Sequence, residues 1–396
     1  MSRTYTEYRE VFSGLPMPFA YMDLDLLDEN IKQILKRSQD KPIRVASKSI
    51  RSVEILKYIL QSDQRFQGVL CFTIEEALFL SEHGLDDLLV AYPAWNEQAV
   101  KAVLLKVRQG KRITLMIDSA EHVRHLEQIA SRMETPIPVC MDVDMSIQYP
   151  AIYFGVYRSS SRTLTDVKKV IETIKQSACI QLAGLMGYEA QIAGVADRST
   201  GKRLQNQIIK TLKAFSIPKI QKRRTEMVDY IKQEGFSLRF VNGGGTGSIA
   251  STVMDPSVTE VTVGSAFYAP ILFDYYRDFQ YAPAAGFAIE ITRQPQQDIY
   301  TCLGGGYPAS GSAGVDKLPQ PHLPAGASLI AMEGAGEVQT PIRYHGEHKL
   351  QLGDPIFMRH SKAGELCERF QSLYLIRNHK VVDEVKTYRG EGQCFL

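Results

Sequence analysis

The chain has 396 residues, 44% of them hydrophobic and 23% charged, with a net charge of +2. This balance suits a soluble globular protein with room for two or three domains, and gives no reason to expect nucleic acid or an anionic membrane as a partner. No stretch reaches the ~18 uninterrupted apolar residues of a membrane span. The N-terminus has no apolar signal-peptide core, and the six cysteines include no C-x-x-C pair. A cytoplasmic protein with reduced thiols is therefore expected, rather than a disulfide framework or a cysteine-built zinc site.

In chain order, residues 19–23 read as a first strand, and residues 26–37 as a helix with an apolar stripe at Leu26, Leu27, Ile31, Ile34 and Leu35. Eight short apolar runs follow, at 43–47, 68–72, 88–92, 112–117, 137–143, 180–187, 238–242 and 258–264. Helical segments lie between them at 74–82, 96–107, 119–131 (with Ser119 as N-cap), 164–176 and 201–234, the last broken at Pro218. Eight strand–helix units in about 230 residues predict a (β/α)8 barrel, with an open doubly wound sheet as the alternative. After about residue 279 the chain turns to Gly, Pro and short alternating runs at 288–293, 328–332, 355–359, 372–378 and 381–388, which predicts an all-β domain. The expected division is an N-terminal strand segment 1–25, a barrel 26–278 and a β domain 279–396.

Lys48 falls where the 43–47 strand ends, the edge at which parallel α/β proteins bind ligands. A solvated lysine is the plain alternative. The run Val241-Asn242-Gly243-Gly244-Gly245-Thr246-Gly247-Ser248 follows the seventh barrel strand, and Gly264-Ser265 follows the eighth. Consecutive backbone N–H groups on glycines cradle phosphates, and a barrel's phosphate site commonly lies in these two loops. A phosphate cradle and a lysine on one rim suggest pyridoxal phosphate, whose aldehyde condenses with lysine. The basic run at Lys219, Lys222, Arg223 and Arg224 reads most simply as a solvated helix face.

With these residues the chain resembles the alanine-racemase-type (fold type III) pyridoxal phosphate enzymes, most closely their D-threonine aldolase and D-serine dehydratase branch. Arg44 stands four residues before Lys48, as in the family's R-P-H-x-K segment, with Val45 and Ala46 replacing Pro and His. Tyr188 lies in a segment like Q-x-Y-x-G-H, with Ala190 and Gln191 in place of Gly and His. The run from Gly243 to Thr246 resembles the G-G-T phosphate loop, and Gly264-Ser265 with Tyr268 and Asp274 resembles R-P-G-x-Y…D. Gly353-Asp354…His360 resembles the C-terminal G-D…H segment.

The resemblance implies a pyridoxal phosphate lyase acting on a β-hydroxy D-amino acid, by retro-aldol cleavage or dehydration, in a homodimer. Lys48, Tyr188 and His360 would be catalytic. Lys48, Arg44, Tyr188, Asn242, Gly244, Gly245, Thr246, Gly264 and Ser265 would bind the cofactor. A racemase or decarboxylase of the same fold and a non-catalytic cofactor carrier are the alternatives, with Tyr307 and Tyr344 as candidate second bases for a racemase. The relatives follow this histidine with H-x-D or H-x-C and bind a divalent metal, whereas here Lys362 stands in the second ligand's place. Three readings stay open: His360 holds a metal with Cys367 or Glu365, Lys362 supplies the charge itself, or His360 is a domain-interface histidine. Asp142 and Asp144 resemble a supporting V-D-x-G segment, and Tyr153 stands where relatives often have arginine.

Overall fold

The structure, a computed structural model, describes residues 3–312 and 314–395. By contact they form two compact units: a sheet unit of residues 3–34, Ser49–Ile55 and Ser265–Cys394, and a barrel unit of Leu35–Lys48, Leu56–Gly264 and Phe395.

In the sheet unit, β1 (Phe19–Asp23) is fully buried. The chain next enters the barrel unit with β2 (Ile43–Ala46), β3 (Phe66–Cys71), β4 (Leu88–Val90), β5 (Ile113–Ile117) and β6 (Ile137–Asp142). A small hairpin, β7 (Ile147–Gln148) and β8 (Tyr153–Phe154), precedes β9 (Ile180–Gly187), β10 (Phe240–Gly243) and β11 (Glu260–Val263). Eight of these strands close a barrel in the order β2-β3-β4-β5-β6-β9-β10-β11, every neighbouring pair parallel. They coincide with the eight apolar runs, since parallel strands buried on both faces are continuous in Val, Ile and Leu.

The barrel interior is filled. Leu89, Met116, Cys140, Met186 and Phe240, one from each of five strands, form a buried cluster with Leu70 packed against it. Two glycines make room: a side chain at Gly184 would strike the Phe240 ring, and one at Gly68, whose φ is +71°, would strike the Arg44 guanidinium. The helix after β9 corrects one expectation. It runs unbroken from Arg203 to Gln233 through Pro218. Proline costs the helix one hydrogen bond, but this helix is anchored on both sides of Pro218, by the Lys213–Asp197 ion pair at 3.0 Å and by buried Ile220, Arg224 and Met227.

The sheet unit continues with β12 (Ala285–Gln296), β13 (Ile299–Leu303), β14 (Gln320–Leu323), β15 (Ala327–Leu329), β16 (Gln339–Tyr344), β17 (Pro355–Arg359), β18 (Ser372–Arg377) and β19 (Lys380–Lys386). The path β15-β16-β13-β12-β1-β18-β19 places β1 antiparallel to β12 and parallel to β18. A short N-terminal helix, Tyr5–Val11, opens with a Thr4–Glu7 capping box. It brings Tyr8 against Tyr21 and Phe357, at ring distances of 5.1 and 5.4 Å.

Candidate active site

All eight barrel strands are parallel, so the residues that follow them share one end. Lys48 lies there in the short turn Ser47–Ser49 directly after β2, with its side chain exposed. Ser47 Oγ donates to the Leu70 carbonyl of β3 at 3.0 Å and holds the turn to the barrel. Asp142 ends β6, Tyr188 follows β9, Gly244 follows β10 and Gly264 follows β11. Strands β10, β11 and β2 are neighbours, which sets the glycine loop and the lysine on adjacent stretches of the rim. Ser265, the next residue, opens a short helix in the sheet unit, where its hydroxyl lies 3.4 Å from Ser49 Oγ.

The glycine loop rests on a buried charge network. The Arg224 guanidinium donates to the Glu189 carboxylate at 3.1 Å, to the Gly187 carbonyl at 2.9 Å and to the Asp255 carboxylate. Glu189 in turn accepts from the Gly244 N–H at 3.1 Å and from the Thr252 hydroxyl. Gly245 N–H donates to Ser248 Oγ at 3.1 Å. The Gly244 amide is therefore taken by Glu189 and the Gly245 amide by Ser248. Two positions require glycine: φ is +90° at Gly244, and a Cβ at Gly245 would come within 2.9 Å of Ala193 and 3.2 Å of the Tyr188 ring. Burial, then the Glu189 charge, pushes the Tyr188 phenol up to about 12, so it stays protonated near neutral pH.

Beside Tyr188 stands Arg158. Its guanidinium lies over the Tyr92 ring at 4.9 Å and the Tyr188 ring at 5.9 Å, donates to Asp142 Oδ2 at 2.6 Å, and reaches the Ala91 carbonyl at 3.0 Å. Burial outweighs this partner and raises Asp142 to about 6. Its second oxygen, Oδ1, is buried without a hydrogen-bond partner. Asp144 accepts instead from the Ser146 N–H at 2.8 Å and from the Tyr153 hydroxyl at 3.3 Å. Sequence reasoning passed over Arg158. Its one signal is an arginine five residues past Tyr153 in a Ser-rich stretch, where a cation is missing at Tyr153.

Arg44 and Asn242 do not join this rim. Arg44 is fully buried inside the barrel, donating to Glu260 at 2.7 and 3.0 Å and to the Asp87 carbonyl at 2.7 Å. Asp87 precedes β4 and Glu260 opens β11, which puts the pair at the opposite, N-terminal end. Asn242 donates to Glu260 and to Thr262 Oγ1, both at 2.8 Å. Both residues, expected at the cofactor, belong to the barrel's polar interior.

In the sheet unit, His360 is completely buried, and both of its ring nitrogens lack hydrogen-bond partners. The expected donors beside it are otherwise engaged. Cys367 Sγ donates to the Ile50 carbonyl at 3.3 Å, and burial pushes its thiol up to about 12. Glu365 accepts from Ser310 N–H at 3.1 Å, and Lys362 Nζ donates to the Ser310 carbonyl at 2.5 Å. Among the described residues no group of three His, Cys, Asp or Glu side chains could hold a metal ion. An ammonium is not a ligand, and Cys367 and Glu365 are turned to other partners, so the described residues do not form a ligand set for the divalent ion expected at His360 and Cys367.

Burial lowers His360 from 6.5 to about 3, and lowers the partly buried His322 to about 4. Between these values and pH 6.5 the unfolded chain binds more protons than the folded one. Stability is therefore full above pH 6.5 and declines as the pH falls through that window, by up to about 1.4 kcal/mol per pH unit for each histidine. Urea melts from pH 7.5 to 4.5 should show this loss, and His360→Leu should flatten it. Identical slopes in the two proteins would contradict the assignment.

Residues 22–270 match the family described as Alanine racemase, N-terminal domain, and the chain belongs to that family. Over 267 residues it is 23% identical to the 3-hydroxy-D-aspartate aldolase of Paracoccus denitrificans (strain Pd 1222), a match covering 67% of this chain and 63% of that enzyme. The chain thus matches a little under two thirds of that relative's length. Its fold is similar to that of D-threonine aldolase from Filomicrobium marinum, with a TM-score of 0.78 at 16% identity over 96% of each chain. D-threo-3-hydroxyaspartate dehydratase from Delftia sp. HT23 gives 0.75 at 16% identity, covering 94% of this chain and 98% of that one. At these identities the likeness is one of fold.

Proposed function

We propose that this protein is a pyridoxal-phosphate-dependent lyase acting on a β-hydroxy D-amino acid. The observation that carries the reading is the adjacency of Lys48 and the glycine loop on one end of a closed barrel, across the neighbouring strands β2, β11 and β10. The aldolase and dehydratase among the similar proteins support the substrate class. The tight glycine loop beside Tyr188 and the orphaned Asp142 oxygen fit a polar cofactor at this mouth.

Pyridoxal phosphate, when bound, accepts the electron pair released at an amino acid's α-carbon. Lys48 Nζ would hold its aldehyde carbon, and the glycine loop with Gly264-Ser265 its phosphate. Whenever its nitrogen is not holding the cofactor, Lys48 would be an amine able to take up and return a proton at the substrate. Tyr188 serves as a neutral donor, since its phenol stays protonated. Arg158 is the fixed positive charge of the mouth, and Asp142 is a carboxyl that changes protonation near pH 6. Two outcomes are open to a β-hydroxy substrate. Loss of the hydroxyl proton cleaves Cα–Cβ, and loss of the α-proton expels hydroxide.

Supplied with pyridoxal phosphate and D-threonine or D-3-hydroxyaspartate, the protein should produce either glycine with an aldehyde or ammonia with a 2-keto acid. Inversion of a D-amino acid without either product pair would overturn the lyase reading.

A further inference from the structure

The basic run read from sequence as a solvated face does not simply face solvent. Lys219, Lys222 and Arg223 line a cavity of about 390 Å3 with Arg162, Thr163, Leu164 and Glu226. Its volume is that of a small-molecule site. Four cations meet one carboxylate there, and that carboxylate is held only loosely, 3.8 Å from the exposed Lys222 ammonium.

The cations are fixed from behind rather than neutralised. Arg223 Nη1 donates to the backbone carbonyls of Asp144 and Ser146, both at 2.9 Å. Lys219 Nζ lies over the Tyr149 ring at 4.9 Å, and the Arg162 guanidinium over the Tyr153 ring at 5.3 Å. Among the described residues, no carboxylate pairs with Lys219 or Arg223. Arg162 has only Asp144 at 3.9 Å. The carboxylate nearest in sequence, Asp166, is turned back onto the Thr163 cap and the Arg162 N–H. Burial, and next the charge of Arg162, make the Arg223 guanidinium less basic than usual, and the opposing charges of Asp144 and Glu226 do not make up the difference.

We propose that this cavity is a binding site for a multiply charged, phosphate-bearing small molecule. Arginine forks and lysine ammonium groups are the donors that match phosphate oxygens. The site is separate from the glycine loop. Its cations hold the loop that follows β6, through the carbonyls of Asp144 and Ser146, so occupancy would tie down the segment between Asp142 and Arg158.

The test is calorimetric titration of the cofactor-loaded protein at fixed ionic strength with inorganic phosphate, pyrophosphate, a sugar phosphate and succinate. Saturable binding of a phosphate compound, tighter than succinate, is expected. Pyrophosphate outranking sugar phosphate would indicate a polyphosphate ligand, and the reverse order a phosphate ester. The exposed Lys219→Glu/Lys222→Glu pair should weaken binding at least tenfold, while Lys232→Glu, an exposed charge on the same helix outside the cavity, should leave it unchanged. Equal affinities in the parent and the double variant, no saturable binding, or succinate binding as tightly would each overturn the proposal.

Discussion

Replacing Lys48 with alanine should abolish the near-visible absorbance of a lysine-bound cofactor and lower turnover by about 10²–10⁴-fold, the range of a positioned acid–base side chain. The residue sits in an exposed turn after β2, so the loss should come without unfolding. Exposed substitutions of this kind shift stability by about 0.5 kcal/mol or less. Lys48→Arg separates charge from chemistry: it keeps a cation at the strand end but cannot condense with an aldehyde. It should be as inactive as the alanine variant. Persistence of the band and of turnover in either protein would remove Lys48 from the site.

The second large effect is expected beneath the glycine loop. Arg224→Met would strip one guanidinium from Glu189, Asp255 and the Gly187 carbonyl at once. All three charged side chains are 4% exposed or less. Removing one partner from such a network leaves buried carboxylates unpaired and costs about 3–5 kcal/mol, far more than the pair's net contribution. Adding Glu189→Gln should recover part of that loss, because one of the stranded charges disappears. Thermal and urea melts of the single and double variants would measure both. An Arg224→Met protein as stable as its parent would mean that the network does not bear on the loop.

The barrel is legible in the sequence because each of its strands is a short apolar run bounded by helical periodicity. Lys48 is legible because it stands just past one of those runs. The departures have physical causes. Arg44 matches a motif position four residues before Lys48, yet it stands near the start of β2 while Lys48 lies past the strand's end, so the two sit toward opposite ends of the barrel. The glycine run shows where a phosphate loop can form, but not that Glu189 and Ser248 occupy two of its amides. Glu189 lies after β9, far from the run in sequence, and nothing in the run shows Ser248 turning back onto the Gly245 amide. Arg158 reaches Asp142 only because the β7–β8 hairpin folds the intervening chain back. Pro218 reads as a break because proline usually is one, and only tertiary anchoring on either side carries the helix past it.

The filled interior has a consequence for traffic. Phe240, Met186 and their neighbours close the barrel across its middle, and Arg44 with Glu260 and Asn242 occupies the space toward the N-terminal end. Among the described residues, no passage through the barrel is open to a molecule reaching the lysine end. Substrate entry and product exit therefore both take place at the C-terminal end of the strands.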